Sequence, residues 1–251
     1  MMRSLKYLVL TATAVSILAI SAVWILAGQL SQPTRKSIQD YQLDWFENPK
    51  KHGILLEAKY CDHGRVPCLL VAPDRNASPS KRGTILREQL AGMGGKLLPF
   101  GQTRGILVLL HGRNGRKEDL LPVAERFASV GFNCVIPDLP AHGESSIKNV
   151  RFAFDQFERN IASNVLEDSR RFFHDLDAPA GIWGLSMGGA FAIRAVSDSP
   201  QQWRAIAVVS SFDTLKGVIE DKLSAFPMAF SPDISPVTPS RHDNDEPVFQ
   251  A

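Results

Sequence analysis

Gly181-Ile182-Trp183-Gly184-Leu185-Ser186-Met187-Gly188-Gly189-Ala190 decides how this chain is read. A short apolar run ends in a serine flanked by glycines. A helical pattern then begins, with Ala190, Phe191, Ala192, Ile193, Ala195 and Val196. Gly184, Ser186 and Gly188 fit G-x-S-x-G, the pattern of a strand turning abruptly into a helix. The corner residue of such a turn is strained, so its neighbours two positions away must be small. The corner pushes the Ser186 hydroxyl out at the carboxyl end of a sheet and aims the Met187 N–H at any oxyanion forming there. Taken alone, the pentapeptide is equally a Gly-rich turn with a bystander serine.

The flanking segments decide between these. Ile106-Leu107-Val108-Leu109-Leu110 is a continuous apolar run bounded by Gly105 and by His111-Gly112. Such runs suit parallel strands covered on both faces. Residues 117–130 show helical spacing (Leu120, Leu121, Ala124, Phe127, Ala128) and stop at Gly131. Asn133 to Ile136 is the next strand and ends in Pro137-Asp138-Leu139-Pro140-Ala141-His142-Gly143-Glu144-Ser145. Phe154, Phe157, Ile161, Val165 and Phe172 lie on one face of a helix running to about Asp175. After the Ser186 turn and its helix comes a strand from Ala205 to Ser210. Alternating strands and helices predict an α/β fold with a doubly wound, mostly parallel sheet. Ligands bind such sheets beyond the carboxyl ends of the strands. Three punctuated segments sit at those ends: 111–115, 138–145 and the Ser186 turn.

Towards the N-terminus, Ile54 to Tyr60 and Cys68 to Ala72 read as two strands joined by a turn. An exposed loop follows to Arg82, then a short helix and a Gly-rich connection over 84–103. Gly92-Met93-Gly94-Gly95-Lys96 is not a phosphate loop, because no Ser or Thr follows the lysine and no strand precedes it. Residues 31–53 read as a polar linker with a short helix. Tyr7 to Gly28 carries no charge and is mostly apolar, long enough for a transmembrane helix. The expectation is an uncleaved signal anchor over 1–30, with membrane localisation and the remaining chain on the extracytoplasmic side. Arg3 and Lys6 support that orientation, and Arg35, Lys36, Lys50 and Lys51 weaken it.

The chain has 251 residues, is 44% hydrophobic and 22% charged, and carries a net charge of +2. That suits one globular domain with an appendage. It argues against a nucleic-acid partner, which needs a concentrated basic patch. Cys61 and Cys68 bracket a turn and are either bridged, in an oxidising compartment, or two partly buried thiols. With His63 they do not complete a four-ligand metal set.

With these segments assembled, the chain resembles the α/β-hydrolase superfamily, closest to the serine aminopeptidase-like and monoglyceride-lipase-like hydrolases. Leu109-Leu110-His111-Gly112, residues 137–145 and Gly184-Leu185-Ser186-Met187-Gly188-Gly189 carry the resemblance, which extends over about residues 54–215. It implies Ser186 as nucleophile and the backbone N–H groups of Arg113 and Met187 as oxyanion hole. It also implies structural roles for His111, Asp138 and His142, and no cofactor. The implied activity is serine hydrolysis of an ester, thioester or peptide bond in a small-molecule or peptide substrate.

In this fold the triad acid and histidine follow the serine. Here the segment from 227 to 251 contains no apolar strand run. The expectation is a sheet lacking its last two strands, with 216–251 as the start of a cap and an atypical tail from about Thr238, as in a fragment or frameshifted product. Asp213 is the tentative acid, or else the N-cap of a helix from Thr214. His242 follows it in order but sits in a charged tail with no strand beneath it. The alternative function is a non-catalytic binding module of the same fold, or an inactive fragment.

Overall fold

A computed structural model describes residues 2–31, 33–147 and 156–211. The chain divides into two compact units, Met1–Asp213 and Thr214–Ala251. The second unit lies outside the described residues, as do the tentative acid Asp213, His242 and the expected cap and tail.

Helix α1 runs Met2–Ser31. Its Thr11 and Ser16 hydroxyls donate to the carbonyls of Tyr7 and Ala12. The apolar side chains of Val15, Ile17, Leu18, Val23 and Trp24 are exposed. The structure does not support the transmembrane reading of residues 7–28. Among the described residues no helix is long and apolar enough to cross a membrane.

Helix α2, Asp40–Glu47, and a 3-10 turn, Pro49–His52, lead into the hairpin of β1, Ile54–Cys61, and β2, Val66–Pro73. Gly53 makes the turn into β1 at φ 69°, where a Cβ would lie 2.7 Å from the Ser78 carbonyl oxygen. Cys61 and Cys68 are joined by a disulfide, which decides between the two readings of this pair. Helix α3, Lys81–Gly92, starts earlier than the sequence suggests, because the Ser80 hydroxyl caps it by accepting the Gly83 N–H at 3.0 Å.

The alternating unit follows: β3, Gly105–Leu110; α4, Leu121–Ser129; β4, Phe132–Pro137; α5, Gln156–Phe172; β5, Ala180–Leu185; α6, Met187–Asp198; β6, Ala205–Val209. The single helix expected over 117–130 is divided. Lys117–Leu120 forms a 3-10 turn, and α4 begins beside Pro122, whose missing N–H is harmless only in a first turn. Helix α5 stops at Phe172, short of Asp175, where His174 turns left-handed at φ 54°.

The sheet has strand order β1-β2-β4-β3-β5-β6. Pairs β1–β2 and β2–β4 are antiparallel, while β3–β4, β3–β5 and β5–β6 are parallel. It is therefore a mixed sheet whose parallel part begins at β4. Side chains alternate across it. Ile106, Val108 and Leu110 face Ile161, Val165 and Phe191 of α5 and α6, whereas Leu109 faces Leu121, Ala124 and Ala128 of α4. Trp45 of α2 completes the second layer.

Leu121 is fully buried and Leu55 is 53% exposed. Leu121→Ala is expected to cost about 2–5 kcal/mol, and Leu55→Ala about 0.5 kcal/mol or less. Urea unfolding of both variants checks this, and equal losses would mean that the layer under α4 is not a packed core.

Candidate active site

Strand β3 lies between β4 and β5, so the chain leaves it in opposite directions on successive crossovers. Helix α4 packs on one face and α6 on the other, the arrangement in which open α/β sheets bind ligands in a crevice at the strands' carboxyl ends, here those of β3 and β5. The register places Leu110 opposite Gly184. The loop from His111 and the corner at Ser186 are thereby neighbours.

Ser186 sits at φ 51° and ψ −115°, outside the conformations that side-chain-bearing residues ordinarily adopt. The strain is held from both sides. Its N–H donates to the Val209 carbonyl at 2.8 Å, and its carbonyl accepts from Gly189 N–H at 2.9 Å and from the Ser211 hydroxyl at 2.9 Å. A Cβ on Gly184 would meet the backbone of Gly188 and Gly189, and one on Gly188 would meet the carbonyl oxygens of Leu110 and His111. Those contacts are why both flanks are glycine. Met187 opens α6, where a helical N–H has no intrahelical acceptor and the helix end is electropositive. The corner thus sets a half-buried hydroxyl next to an N–H suited to a developing negative charge.

The loop after β3 closes against this corner. A Cβ on Gly112 would lie 3.5 Å from Ser186 Cβ. Gly112 oxygen accepts from Gly115 N–H at 3.0 Å, and Asn114 is left-handed at φ 60°. Arg113, between them, is exposed. His111 braces the turn. Its Nε2 accepts the Leu139 N–H at 3.0 Å, so Nδ1 carries the proton and donates to Gly112 oxygen at 2.8 Å. Both nitrogens are engaged, and burial lowers the pKa of this histidine. It is a neutral brace.

Beneath the loop lies a buried charge cluster that sequence reading missed. Lys117 Nζ donates to Asp138 Oδ2 at 2.9 Å and Glu144 Oε2 at 2.7 Å, and pairs with Glu118 Oε1 at 3.0 Å. Glu118 also takes Arg116 Nε at 2.5 Å. Asp138 accepts two backbone N–H groups besides, from Lys117 and Glu144, each at 2.8 Å. Burial opposes the Lys117 charge, but Asp138, Glu144 and Glu118 outweigh it and hold the ammonium above its usual pKa. For Glu118, burial is outweighed by Arg116 and Lys117, and its pKa is lowered. Among the described residues no group of three or more His, Cys, Asp or Glu side chains could hold a metal ion. Lys117 itself fills the space between the three carboxylates. In sequence Lys117-Glu118-Asp119 reads as the polar start of a helix, and no local signal shows that it is buried.

His142 is buried beside His111, with ring centroids 5.1 Å apart, and its Nδ1 bonds the Pro140 oxygen at 2.8 Å. Among the described residues its Nε2 has no hydrogen-bond partner. Burial first, then the neighbouring His111, depress its pKa to about 4. The structure thus brings together Ser186, Met187, the Arg113 loop, His111, Asp138 and His142 at adjacent strand ends. An apolar groove of about 290 Å³ between α3, α4 and Trp183 shares no residue with this crevice.

Residues 101–242 match the family model described as serine aminopeptidase, S33. No curated protein matches the chain. Among solved structures, an esterase of Pyrococcus furiosus is 16% identical, with a TM-score of 0.52, over 78% of this chain and 63% of that one. A bacterial membrane phospholipase A is 16% identical, with a TM-score of 0.41, over 84% of this chain and 53% of that one. The chain therefore spans between half and two thirds of the length of these two neighbours.

Two outcomes follow from the charges around the site. Lys117→Met leaves buried Asp138 without its cation and is expected to cost roughly 3–5 kcal/mol in urea unfolding. His142 binds a proton less readily folded than unfolded, so its contribution is complete above its ordinary pKa of 6.5 and is lost as pH falls towards about 4. His142→Gln should flatten the dependence of Tm on pH across that window, and an unchanged slope would show that another group carries it.

Proposed function

We propose that this chain, which belongs to the serine aminopeptidase S33 family of the α/β-hydrolase superfamily, hydrolyses an ester, thioester or peptide bond with Ser186 as nucleophile. The observation that carries the reading is the left-handed Ser186 between Gly184 and Gly188, with the Gly112 loop closed against it. The Ser186 oxygen attacks the acyl carbon while its proton passes to a base. The N–H groups of Met187 and Arg113 hold the resulting oxyanion. The leaving group takes up the proton, and water then releases the acyl group from Ser186. Each oxyanion donor is worth roughly 3 kcal/mol in the transition state. Asp213 is the proposed acid. His111 engages both ring nitrogens, and burial holds His142 far below its usual pKa, so neither is assigned as the base.

The engagement of both His111 nitrogens and the lowered pKa of His142 also favour a second reading, a non-catalytic module that binds a ligand in the same crevice. The Cys61–Cys68 bridge supports an extracytoplasmic, oxidising location for the domain.

A fluorophosphonate probe separates the readings. An enzyme is labelled as wild type and loses labelling as Ser186→Ala. Arg113→Ala, which keeps its backbone N–H, should label within about threefold of wild type, well short of the loss of a donor. A folded wild type that the probe does not touch sinks the hydrolase and leaves the binding module.

A further inference from the structure

The segment after α1 is polar, and such connections are ordinarily held loosely. Here it is tied at successive points to the two loops that shape the crevice. Thr34 N–H donates to Asn114 Oδ1 at 2.8 Å, one residue after Arg113. Arg35 spends its guanidinium on backbone carbonyls of the loop after β4, with Nη1 reaching Gly143 at 3.1 Å and Nη2 reaching Ser145 at 2.7 Å and Ile147 at 3.5 Å. Lys36 oxygen accepts from Arg116 Nη1 at 3.1 Å. Buried Gln42 closes the series. Its Oε1 accepts the Gln39 N–H at 2.9 Å, and its Nε2 donates to Asp119 Oδ1 at 2.7 Å. Asp119 Oδ2 in turn accepts the Arg116 N–H at 3.1 Å.

We propose that residues 34–42 are a positioning strap that fixes the Arg113–Asp119 loop against the 143–147 loop, with Arg35 and Gln42 as its positioning residues. The inference deepens the hydrolase reading and rests on it for its catalytic consequence. The Lys117 cluster joins the same two loops from within, and the strap joins them a second time through residues far away in the chain. Asn114 is left-handed, and its side chain is anchored by the Thr34 N–H, so the strap acts on the conformation of the peptide unit next to Arg113. Oxyanion stabilisation depends on donors that are in place before charge develops. A misplacement of about 1 Å can cost a hundredfold in rate without loss of binding. The strap therefore acts on the chemical step, and it links helix α1 to the crevice.

The test uses the full chain with Arg35→Ala, Arg35→Lys and Thr34→Pro, the last of which deletes the N–H donated to Asn114. Far-UV dichroism confirms that each variant is folded, and Thr34→Pro supplies the comparison if Arg35→Ala does not fold. Amide exchange over 113–119 and 143–147 is read alongside the inactivation constants for a fluorophosphonate. Exchange should quicken about tenfold or more, the worth of charge-assisted bonds. The rate constant of inactivation should fall about tenfold while the binding constant stays within about twofold. Arg35→Lys, which keeps the charge but not the fork, should restore part of both. Unchanged exchange in Arg35→Ala and Thr34→Pro overturns the strap. Faster exchange with unchanged inactivation overturns its positioning role. A wild type inert to the probe removes the hydrolase reading, and the exchange rates then decide alone whether the strap holds the loops.

Discussion

The parallel pairing of β3 with β5 is the constraint on which the rest of this structure depends. Its register sets Leu110 opposite Gly184, so the two chains leave the sheet side by side. Gly188 then comes so close to the carbonyl oxygens of Leu110 and His111 that a single methyl group would collide with them. A slip of one residue would turn Ile106, Val108 and Leu110 away from α5 and α6. The same slip would carry Gly112 away from Ser186. Core packing and site geometry are in this way enforced by one register.

The strained serine is stable because several weak constraints converge on it. Val209, Gly189 and Ser211 take up its backbone groups, and the glycines remove the clashes that a sharp corner would produce. Backbone strain of this type costs roughly 1–3 kcal/mol and persists only where the surroundings over-determine it. The buried charges beside it work in a comparable way. Desolvating Lys117, Glu118 and Asp138 is unfavourable, and the Coulombic attraction among them repays this only because every partner is in hydrogen-bonding reach. The cluster joins the loop after β3 to the loop after β4, and the strap from 34 to 42 joins them again from another part of the chain.

Legibility in the sequence followed the range of the interactions concerned. Apolar runs such as Ile106 to Leu110 announce themselves because burial on both faces of a sheet demands them. The Ser186 turn is visible because its steric demands fall on residues two positions away. His111 shows the limit. Its place in the oxyanion loop follows from resemblance, but its tautomer depends on Leu139, 28 residues later. Lys117 reads as an exposed helix start because its partners Asp138 and Glu144 are 21 and 27 positions away. The apolar pattern at 7–28 reads as an anchor, and the structure lends that reading no support, because among the described residues no helix is long and apolar enough to cross a membrane.

The sequence by itself determined the alternation of strands and helices, the serine corner and its glycines, and membership in the α/β-hydrolase superfamily. These are local matters, settled by side-chain volume, apolar periodicity and the conformational freedom of glycine. Only the tertiary structure decided the antiparallel entry of β1 and β2, the bridging of Cys61 to Cys68, the burial of Lys117 and the course of Arg35 across the loops. Each of these pairs groups whose separation in the chain, or whose shared surroundings, no local pattern records. Their energies exist only once the sheet has brought the partners together and excluded water from between them.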